Sequence, residues 1–380
     1  MIIRALQKNI EEKLFLRKAI ILLGARQVGK TTLLERIISE QNLPTRFLNC
    51  DEPQVRQLLE MINIPELKLE IAQNKLIVID EAQKVNNIGQ TLKLIVDNFK
   101  DVQLIATGSS AFELRNKLNE PLTGRKYEYL MYPISTAEIV ETKGIAEAMK
   151  TIHTRLLYGS YPDVINRVSD VREILIELVD SYLYKDVLTV ESIRKPDLIS
   201  KLLVALAFQV GNEVSYNELA QTIQSDSKTV EKYVDVLEKC FVIFRLNAFS
   251  RNLRNELKKS RKIYFYDNGV RNAVIQHFAP IELRDDIGAL WENFIVSERL
   301  KQNHYTRNHA KMYFWRNTYQ QEIDLIEEKN GQFSAFEIKW NEYKKTKFPT
   351  AFIETYPIKE TRIITPKNYL EWLLEKESNS

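Results

Sequence analysis

Apolar and polar residues follow two alternating patterns over residues 18–133. Short, almost purely apolar runs of strand length are AIILL at Ala19–Leu23, LIVID at Leu76–Asp80 and QLIAT at Gln103–Thr107. Between them lie longer stretches such as TLKLIVDNF, whose apolar residues recur at helical spacing. Continuous apolar strands that alternate with amphipathic helices predict an α/β fold, in which helices cover both faces of a parallel sheet.

The pattern changes after this region, which predicts further domains. Residues 171–209 show helical periodicity with few breaks, and residues 215–267 show two short helices followed by two β-rich runs. All four tryptophans lie near the carboxyl end of the chain, which indicates a separate core there. We therefore predict four segments: an α/β core at 1–150, a helical linker at 151–195, a mostly helical domain at 196–284 and an α+β domain at 285–380.

Composition narrows the classes of function. The chain has 380 residues, 54 Lys and Arg against 51 Asp and Glu, and 44% hydrophobic residues, which fits a folded protein of two or three domains. The net charge of +3 excludes a strongly basic coat protein. Cys50 and Cys240 are too few and too far apart for a disulfide scaffold or a thiolate zinc site. Since no run of about 18 apolar residues occurs, we expect a cytoplasmic protein without membrane contact.

A phosphate-binding loop follows the first apolar strand. Gly24–Thr31 has the sequence GARQVGKT, which fits G-x-x-x-x-G-K-[ST] at every fixed position and stands between a strand and a helix. The two glycines permit backbone torsions that let amide groups surround a phosphate, and the helix amino terminus adds positive charge. A chance glycine turn is the alternative. The predicted nucleotide-binding residues are Gly24, Ala25, Arg26, Gln27, Val28, Gly29, Lys30, Thr31 and Thr32.

Four side chains would carry the chemistry of this site, and they predict ATP and Mg²⁺ as cofactors. Lys30 would reach the β and γ phosphates, and the Thr31 hydroxyl would bind Mg²⁺. Asp80 and Glu81 end an apolar strand, and ligands bind at the carboxyl ends of such strands. Asp80 would hold the magnesium ion and Glu81 would activate the attacking water as general base. An ordinary turn or helix cap is the alternative for this Asp-Glu pair.

The next strand ends in Thr107-Gly-Ser-Ser, and the chain at this point resembles the AAA-type ATPases. The resemblance implies that Thr107, or else Ser109, contacts the γ phosphate, and that its strand lies between the two motif strands. It also implies a role for Arg125, which comes just before the run YEYLMY. Arg125 would reach the nucleotide of a neighbouring subunit in a homo-oligomer, with Arg115 as a weaker rival. The alternative is an ion pair of Arg125 within its own subunit.

Residues 217–266 resemble a winged helix. Two short helices, 217–223 and 228–240, are joined by a polar turn and followed by strand-like runs at 242–249 and 262–266. Ser227 is the predicted N-cap of the second helix. The exposed face of that helix would offer a mix of side chains poorly suited to a major groove: Lys228, Lys232 and Tyr233 alongside Glu231, Asp235 and Glu238. A basic loop between the strands would contact about six DNA phosphates, which predicts a log-log salt slope of about −5. The alternatives are a solvated loop or a protein-docking module. The cations are Arg251, Arg254, Lys258, Lys259, Arg261 and Lys262.

A β-hairpin is predicted near the carboxyl end, because Asn330-Gly331 is a strong hairpin-turn signal between two strand-like runs. With these two residues at the centre of the turn, Asp324 lies opposite Glu337, and Glu322 lies opposite Lys339. Two carboxylates that face each other repel unless a cation lies between them, and a divalent metal or Lys339 could be that cation. The other face of the hairpin would be apolar, and its predicted members are Ile323, Leu325, Phe336 and Ile338.

The hairpin resembles the restriction-endonuclease-like fold, whose pattern is a helix acid, a strand-ending Asp and then Glu-x-Lys. The resemblance implies that Glu292, on a helix over 290–300, is the first acid and that Asp324 and Glu337 are metal ligands. It implies that Lys339 orients or deprotonates the attacking water. Glu-Ile-Asp stands here in place of the family's usual Pro-Asp. An amphipathic hairpin with ordinary salt bridges is the alternative.

Taken together, the segments resemble uncharacterised bacterial and archaeal AAA-type ATPases that end in a domain of unknown function. The first hypothesis is an ATPase whose nucleotide state controls a DNA-binding winged helix and a metal-dependent, nuclease-like tail. The second is a signalling or scaffolding ATPase whose winged helix and inactive tail bind a protein partner. A translocating unfoldase is a third hypothesis, but the chain offers no aromatic pore loop between Asp80 and Thr107.

Overall fold

The computed structural model describes residues 2–61, 63–71, 73–109, 118, 121–167, 169–182, 187, 195–250, 260–343 and 346–375. Two compact units are present. The first comprises residues 3–132 together with 239–241, and the second comprises residues 133–238 and 242–380 together with Ile2. The division into four segments stays a prediction. No helix in the described ranges is both long and apolar enough to cross a membrane.

The first unit is built on a five-stranded parallel sheet with the order β2-β3-β4-β1-β5. Its strands are β1 Ala19–Leu23, β2 Thr45–Asn49, β3 Leu76–Asp80, β4 Gln103–Gly108 and β5 Lys126–Leu130. Its described helices are α1 Leu6–Glu11, α2 Lys30–Gln41, α3 Pro53–Met61, α4 Ile64–Ile71 and α5 Ile88–Asn98.

The three central strands of this sheet form the core of the first unit. Every residue of β1, β3 and β4 is buried, as continuous apolar strands covered on both faces require. Ile105 of β4 pairs with Ile20 of β1 on one side and with Val78 of β3 on the other. The predicted α/β fold is therefore confirmed, and so is the position of β4 between the two motif strands.

The second unit contains two sheets and twelve described α-helices. Strands β6 Glu213–Val214, β7 Ile243–Asn247 and β8 Arg261–Phe265 form an antiparallel sheet with the order β6-β8-β7. Strands β9 Lys311–Arg316, β10 Glu322–Lys329, β11 Gln332–Ile338 and β12 Ile358–Ile364 form a sheet with the order β12-β11-β10-β9.

The helices of the second unit fall into three groups along the chain. Those before β6 are α6 Thr136–Lys143, α7 Ile145–Lys150, α8 Ile152–Tyr158, α9 Pro162–Asn166, α10 Val171–Tyr182 and α11 Pro196–Phe208. Those that surround the three-stranded sheet are α12 Tyr216–Thr222, α13 Ser227–Lys239 and α14 Asn268–Val274. Those of the carboxy-terminal segment are α15 Ile287–Tyr305, α16 Thr350–Ile353 and α17 Tyr369–Leu374.

The two short helices predicted around residue 225 are present as α12 and α13, but two details of the prediction are wrong. The capping side chain is Asp226 and not Ser227, because the Asp226 carboxylate accepts hydrogen bonds from the Thr229 amide at 2.9 Å and its hydroxyl at 2.7 Å. Tyr233, expected on the exposed face of α13, is only 3% exposed. An apolar ring is more stable in the core than on a polar helix face.

The carboxy-terminal hairpin has the predicted turn and register. Asn330 and Gly331 both have positive φ, at 54° and 79°, which is the geometry of a two-residue hairpin turn. Leu325 pairs with Phe336, so the register places Asp324 beside Glu337 as expected. One prediction is wrong: Ile323 packs in a core cluster with residues 326, 333 and 335. The register of β10 against β9 shifts between residues 323 and 326, and this irregularity interrupts strict alternation.

Candidate functional site

Two glycines of the phosphate loop lie at positions where a residue with a side chain would clash or would be strained. Gly24 follows β1, and its amide donates to the Gly108 carbonyl at 3.2 Å. A Cβ atom at Gly24 would overlap the Met131 carbonyl, because the loop passes directly over the end of β5. Gly29 precedes α2 with φ 92°, in the left-handed region that glycine adopts without strain. The loop conformation therefore depends on both glycines.

Lys30 is held inside the loop. Its side chain is buried, and Nζ donates to the carbonyls of Gly24 and Ala25, both at 2.9 Å. An ammonium group at the centre of a loop that opens a helix is a suitable partner for phosphate oxygens. Among the other predicted binding residues, Ala25 and Val28 are buried, whereas Gln27, Thr31 and Thr32 are exposed beside the loop and Arg26 is intermediate.

Arg4 supports the loop from a distant part of the chain. Its guanidinium group is 8% exposed and donates from Nη1 to the Val28 carbonyl at 2.5 Å and from Nη2 to the Tyr132 carbonyl at 2.6 Å. These two hydrogen bonds connect the phosphate loop to the segment after β5. Sequence analysis missed Arg4, because the contact with Val28 spans 24 positions and no local motif marks it.

Two predicted magnesium ligands, Thr31 and Asp80, meet the predicted γ-phosphate contact Thr107 at the carboxyl edge of the sheet. The Thr31 hydroxyl donates to Asp80 Oδ2 at 3.0 Å. The Thr107 hydroxyl donates to Asp80 Oδ1 and accepts from the Glu81 amide at 3.1 Å. A hydroxyl and a carboxylate are the oxygen ligands that Mg²⁺ prefers, so the donor set fits this ion. Thr107 is fully buried, and both of its hydrogen bonds hold the Asp80-Glu81 pair.

The Glu81 carboxylate is oriented by two further side chains. Gln83 Nε2 donates to Glu81 Oε2 at 2.6 Å, and the Ser109 hydroxyl donates to the same oxygen at 3.1 Å. Gln83 also donates to Ser109 at 2.9 Å, which closes a small network. The Glu81 backbone is left-handed, with φ 54°, so the side chain leaves the strand at a sharp turn. Sequence analysis missed Gln83, although it lies two residues beyond the Asp-Glu pair.

Cys50 lies next to these carboxylates, and their negative charge changes the pKa of its thiol. Its amide donates to the Asp80 carbonyl at 3.0 Å. Burial, together with the negative charges of Asp80 and Glu81, raises the pKa of the Cys50 thiol to about 12. The thiol is therefore protonated at neutral pH and is not a nucleophile.

Arg125 lies at the opposite edge of the sheet from the phosphate loop. It precedes β5, and its carbonyl accepts from the Ala19 amide at the start of β1. A strand of five residues spans about 16 Å, which separates Arg125 from the loop of its own chain. Its Nε donates to Asp97 Oδ1 at 2.7 Å, in a pair whose side chains are 43% and 38% exposed. An exposed pair of this kind is weak and readily exchanged. The rival, Arg115, lies outside the described residues.

The predicted tail site brings Asp324, Glu337 and Lys339 together. Lys339 Nζ lies 2.7 Å from Asp324 Oδ2 and 2.8 Å from Glu337 Oε2. The Ile338 amide also donates to Asp324 Oδ2, at 2.8 Å. Burial and the neighbouring Asp324 charge raise the pKa of Glu337 to about 7. The cation that the facing carboxylates require is therefore Lys339, one of the two alternatives that the sequence left open, whereas Glu322 pairs with Lys262.

Glu292 lies on α15 and has different partners. Its Oε1 accepts from Lys262 Nζ at 3.0 Å and from the Tyr264 hydroxyl at 2.7 Å. Lys262 also lies 2.5 Å from Glu322 Oε1. Burial raises the pKa of Glu292, although the Lys262 charge opposes the shift. Within the part of the chain that the structure describes, no group of three or more His, Cys, Asp or Glu side chains is arranged to hold a metal ion.

The predicted DNA-contacting loop falls largely outside the described residues, which end at 250 and resume at 260. Four of its six cations, Arg251, Arg254, Lys258 and Lys259, lie in that gap. Arg261 and Lys262 are described, and Lys262 is buried rather than exposed.

Three family models match parts of the chain. Residues 16–140 match the AAA domain family. The phosphate loop, Asp80, Glu81, Thr107 and Arg125 all lie inside this AAA domain. Residues 149–280 and 287–376 match two domains of unknown function, DUF8612 and DUF4143.

Curated relatives share most of the chain with this protein. An uncharacterised protein of Haemophilus influenzae is 25% identical over 275 residues, which are 67% of this chain and 68% of that protein. One of Methanocaldococcus jannaschii is 25% identical over 345 residues, 85% of this chain and 75% of that protein. One of Mycobacterium tuberculosis is 26% identical over 333 residues, 84% and 70% respectively. With the AAA domain, these matches support an uncharacterised family of AAA-type ATPases.

Solved structures resemble the chain only distantly. The Holliday junction branch migration motor RuvB of Thermotoga maritima gives a TM-score of 0.33 at 17% identity, over 72% of this chain and 96% of that chain. Drosophila ORC bound to AT-rich DNA and Cdc6 gives 0.28 at 11% identity, over 72% and 89%. TM-scores this low carry no information about what the present chain does.

Proposed function

We propose that the protein hydrolyses ATP with Mg²⁺ at the AAA domain and that its nucleotide state controls DNA contact through a winged-helix segment in residues 196–284. The observation that carries the ATPase part is the arrangement of Thr31, Asp80 and Thr107. The two hydroxyls donate to the two different oxygens of one carboxylate. The phosphate loop with its buried lysine begins at Gly24, seven residues before Thr31.

Each side chain then has a defined task in hydrolysis. Thr31 and Asp80 would hold Mg²⁺, which neutralises charge on the phosphate oxygens. Lys30 would exchange its two carbonyl partners for phosphate oxygens. Glu81 would accept a proton from the attacking water, with its carboxylate kept in place by Gln83 and Ser109.

Arg125 completes the proposed site from a second subunit. Its position at the far edge of the sheet excludes contact with the phosphate loop of its own chain, but it is compatible with a neighbour's nucleotide. When subunits assemble, Arg125 would give up its ion pair with the exposed Asp97 and bind the γ phosphate of the neighbouring subunit. An Arg125→Ala variant should then bind ATP normally and lose the concentration dependence of its specific hydrolysis rate. A specific rate that is unchanged, or that depends on protein concentration as in the wild type, would exclude this role.

The DNA part of the proposal depends on the basic loop rather than on α13. Helix α13 is poorly suited to a major groove, because it carries the carboxylates Glu231, Asp235 and Glu238. These pair with arginines of β7 and β8: Arg245 lies 2.7 Å from Asp235 and also contacts Glu238, and Arg261 lies 3.8 Å from Glu231. Lys228, Lys232 and Lys239 are its exposed cations. The sequence between β7 and β8, in contrast, is rich in arginine and lysine.

Filter binding to duplex and single-stranded DNA tests this part. Because Lys262 is buried, five cations of the loop remain for phosphate contact, and we expect a log-log salt slope of about −4.5. Its magnitude should fall by roughly 3.6 when Arg251, Arg254, Lys258 and Lys259 are all changed to Ala. The matched control is Lys228→Ala with Lys232→Ala, which removes two exposed cations of α13 and should change the slope little. The affinity should also differ between ATP and ADP. Absence of DNA binding at low ionic strength would remove the DNA proposal and leave the ATPase intact.

A signalling or scaffolding ATPase is the second candidate, and the tail favours it. The carboxylates predicted to bind a metal are paired with two ammonium groups, those of Lys262 and Lys339. Under this function the tail is a restriction-endonuclease-like fold that binds a protein partner and cleaves nothing. Incubation of DNA and RNA with Mg²⁺ or Mn²⁺, with and without ATP, separates the candidates. Cleavage that is lost in Asp324→Ala would establish a nuclease and exclude the second candidate.

A further inference from the structure

Lys262 is a buried lysine in the middle of a small sheet. It lies on β8, the central strand, where it pairs with Glu213 of β6 on one side and with Leu246 of β7 on the other. Its side chain is only 2% exposed. Lysine is almost never buried to this extent unless a negative charge compensates its own. Because its backbone is held from both sides, the position of its ammonium group is fixed by the fold.

The ammonium group of Lys262 reaches two carboxylates from different elements of the carboxy-terminal segment. Nζ lies 3.0 Å from Glu292 Oε1 on α15 and 2.5 Å from Glu322 Oε1 at the start of β10. It also lies 5.5 Å from the centre of the Phe314 ring on β9, a contact that favours a positive charge. Tyr264, two residues along β8, donates its hydroxyl to the same Glu292 oxygen at 2.7 Å.

Lys262 and Lys339 pair with the carboxylate oxygens that a divalent ion would need as ligands. Lys339 lies 2.7 Å from Asp324 and 2.8 Å from Glu337. A divalent ion would have to take oxygens from these pairs and tolerate the repulsion of two ammonium groups, which is strong where water is excluded. The expected set of Glu292, Asp324 and Glu337 therefore does not fit a metal in this fold.

We propose that Lys262 is the resident cation of this carboxylate cluster and that it replaces a divalent metal, so that the tail does not act as a metal-dependent nuclease. The proposal rests on the restriction-endonuclease-like interpretation of the tail given above, and it deepens the second candidate function. Lys262 lies in the winged-helix segment, so a residue from another part of the chain completes the carboxylate cluster of the tail.

Manganese binding tests the proposal without any activity measurement. Nucleotide-free, full-length protein is stripped with chelator and titrated with Mn²⁺, and bound ions are counted from the loss of the free Mn²⁺ electron paramagnetic resonance signal. The variants are Asp324→Asn, Lys262→Met and the double variant Lys262→Met with Asp324→Asn. Lys311→Met is the matched control, because Lys311 is a lysine of β9 whose side chain is 70% exposed.

The proposal predicts that the wild type, Asp324→Asn and Lys311→Met bind the same number of ions. Removal of the Lys262 charge leaves Glu292 without its ammonium partner and leaves Glu322 with Arg316 at 3.7 Å. Lys262→Met should therefore gain one Mn²⁺ ion with an affinity at least about tenfold above any site of the wild type. The double variant should lose that ion. The melting temperature of Lys262→Met should rise with Mn²⁺, whereas that of the wild type should not.

Two results would overturn the proposal. One is a Mn²⁺ ion that binds the wild type and is lost in Asp324→Asn, since the metal would then coexist with Lys262. The other is a folded Lys262→Met variant that gains no ion. If Lys262→Met does not fold, the comparison of the wild type with Asp324→Asn still decides: an equal count supports the proposal and a lost ion refutes it. ATP hydrolysis, measured separately, reports on the AAA domain, so failure of the one claim is distinguishable from failure of the other.

Discussion

The Thr107 hydroxyl offers the sharpest test of how the AAA domain is assembled. It donates to Asp80 Oδ1 and accepts from the Glu81 amide, so one buried group orients both Asp80, the proposed magnesium ligand, and Glu81, the proposed general base. The variant Thr107→Val keeps the shape of the side chain and removes both hydrogen bonds. Thr107→Ser is the matched control, because it retains the hydroxyl.

The expected loss follows from these two contacts. A hydrogen bond to a charged group contributes about 1.5–3 kcal/mol, and a buried amide left without an acceptor costs about 1–3 kcal/mol. If about 1.4 to 2.8 kcal/mol of this free energy is lost from stabilisation of the transition state, kcat of Thr107→Val falls roughly 10- to 100-fold. The affinity for ATP should change less than about threefold, since Lys30 and the loop backbone are untouched. The Mg²⁺ concentration for half-maximal rate should rise, because Asp80 loses its orientation.

A coupled-enzyme ATPase assay with Mg²⁺ titration, together with fluorescent-nucleotide binding, measures all three quantities. Thr107→Ser should lie within about threefold of the wild type. Hydrolysis by Thr107→Val at the wild-type rate would refute the positioning role. A large loss of ATP affinity with unchanged ADP affinity would also refute it, because it would place the hydroxyl directly on the γ phosphate.

Three further changes test other contacts. Arg4→Met removes both carbonyl contacts of the guanidinium group and should weaken ATP binding by about tenfold, as measured by nucleotide titration. Gly24→Ala places a Cβ atom against the Met131 carbonyl and should abolish ATP binding or lower the melting temperature of the AAA domain by several degrees. Asp286→Asn should lower the free energy of unfolding by about 2 kcal/mol at pH 7, as measured in urea.

The reason for the Asp286 effect is its pair of arginines. Burial alone would raise its pKa, but hydrogen bonds and charge from Arg284 and Arg271, at 2.7 and 2.6 Å, lower the pKa from 3.8 to about 2. A lowered carboxylate pKa contributes stability that is present above pH 4 and is lost as the pH falls toward 2. The difference between Asp286→Asn and the wild type should therefore shrink between pH 4 and pH 2. A constant difference over that interval would contradict the assignment.

The other two changes have matched controls. Lys8→Met removes an exposed cation of α1 and should leave ATP affinity unchanged, in contrast to Arg4→Met. Gly288→Ala adds a Cβ atom in open space, where no atom lies within 4 Å, and should be neutral or slightly stabilising. Equal losses in Arg4→Met and Lys8→Met, or in Gly24→Ala and Gly288→Ala, would contradict the structural explanation.

The sequence predicts those features that local patterns determine. The phosphate loop, the Asp80-Glu81 pair and the parallel sheet follow from motif spacing and from apolar runs of strand length. The register of the tail hairpin follows from Asn330-Gly331, since a two-residue turn fixes which side chains face each other. In each case the information lies within a few residues of the feature it determines.

Features that depend on distant residues could not be predicted. Arg4 reaches the phosphate loop across 24 positions, and Lys262 enters the tail cluster from another segment of the chain. The sequence left a divalent metal and Lys339 open as the cation between Asp324 and Glu337, and Lys339 pairs with both carboxylates. The charge pattern of one strand cannot distinguish these alternatives, because the three-dimensional fold decides which cation lies nearest to each carboxylate.

The central claim is that Glu81 activates water at a magnesium-dependent ATP site, and the direct test is the variant Glu81→Gln. The amide keeps the size of the side chain and its hydrogen bond with Ser109 but cannot accept the proton. The measurement is ATP binding and single-turnover hydrolysis of the wild type and the variant with Mg²⁺. The account predicts that Glu81→Gln binds ATP as tightly as the wild type and hydrolyses it at least about 100-fold more slowly. Hydrolysis at the wild-type rate would contradict it.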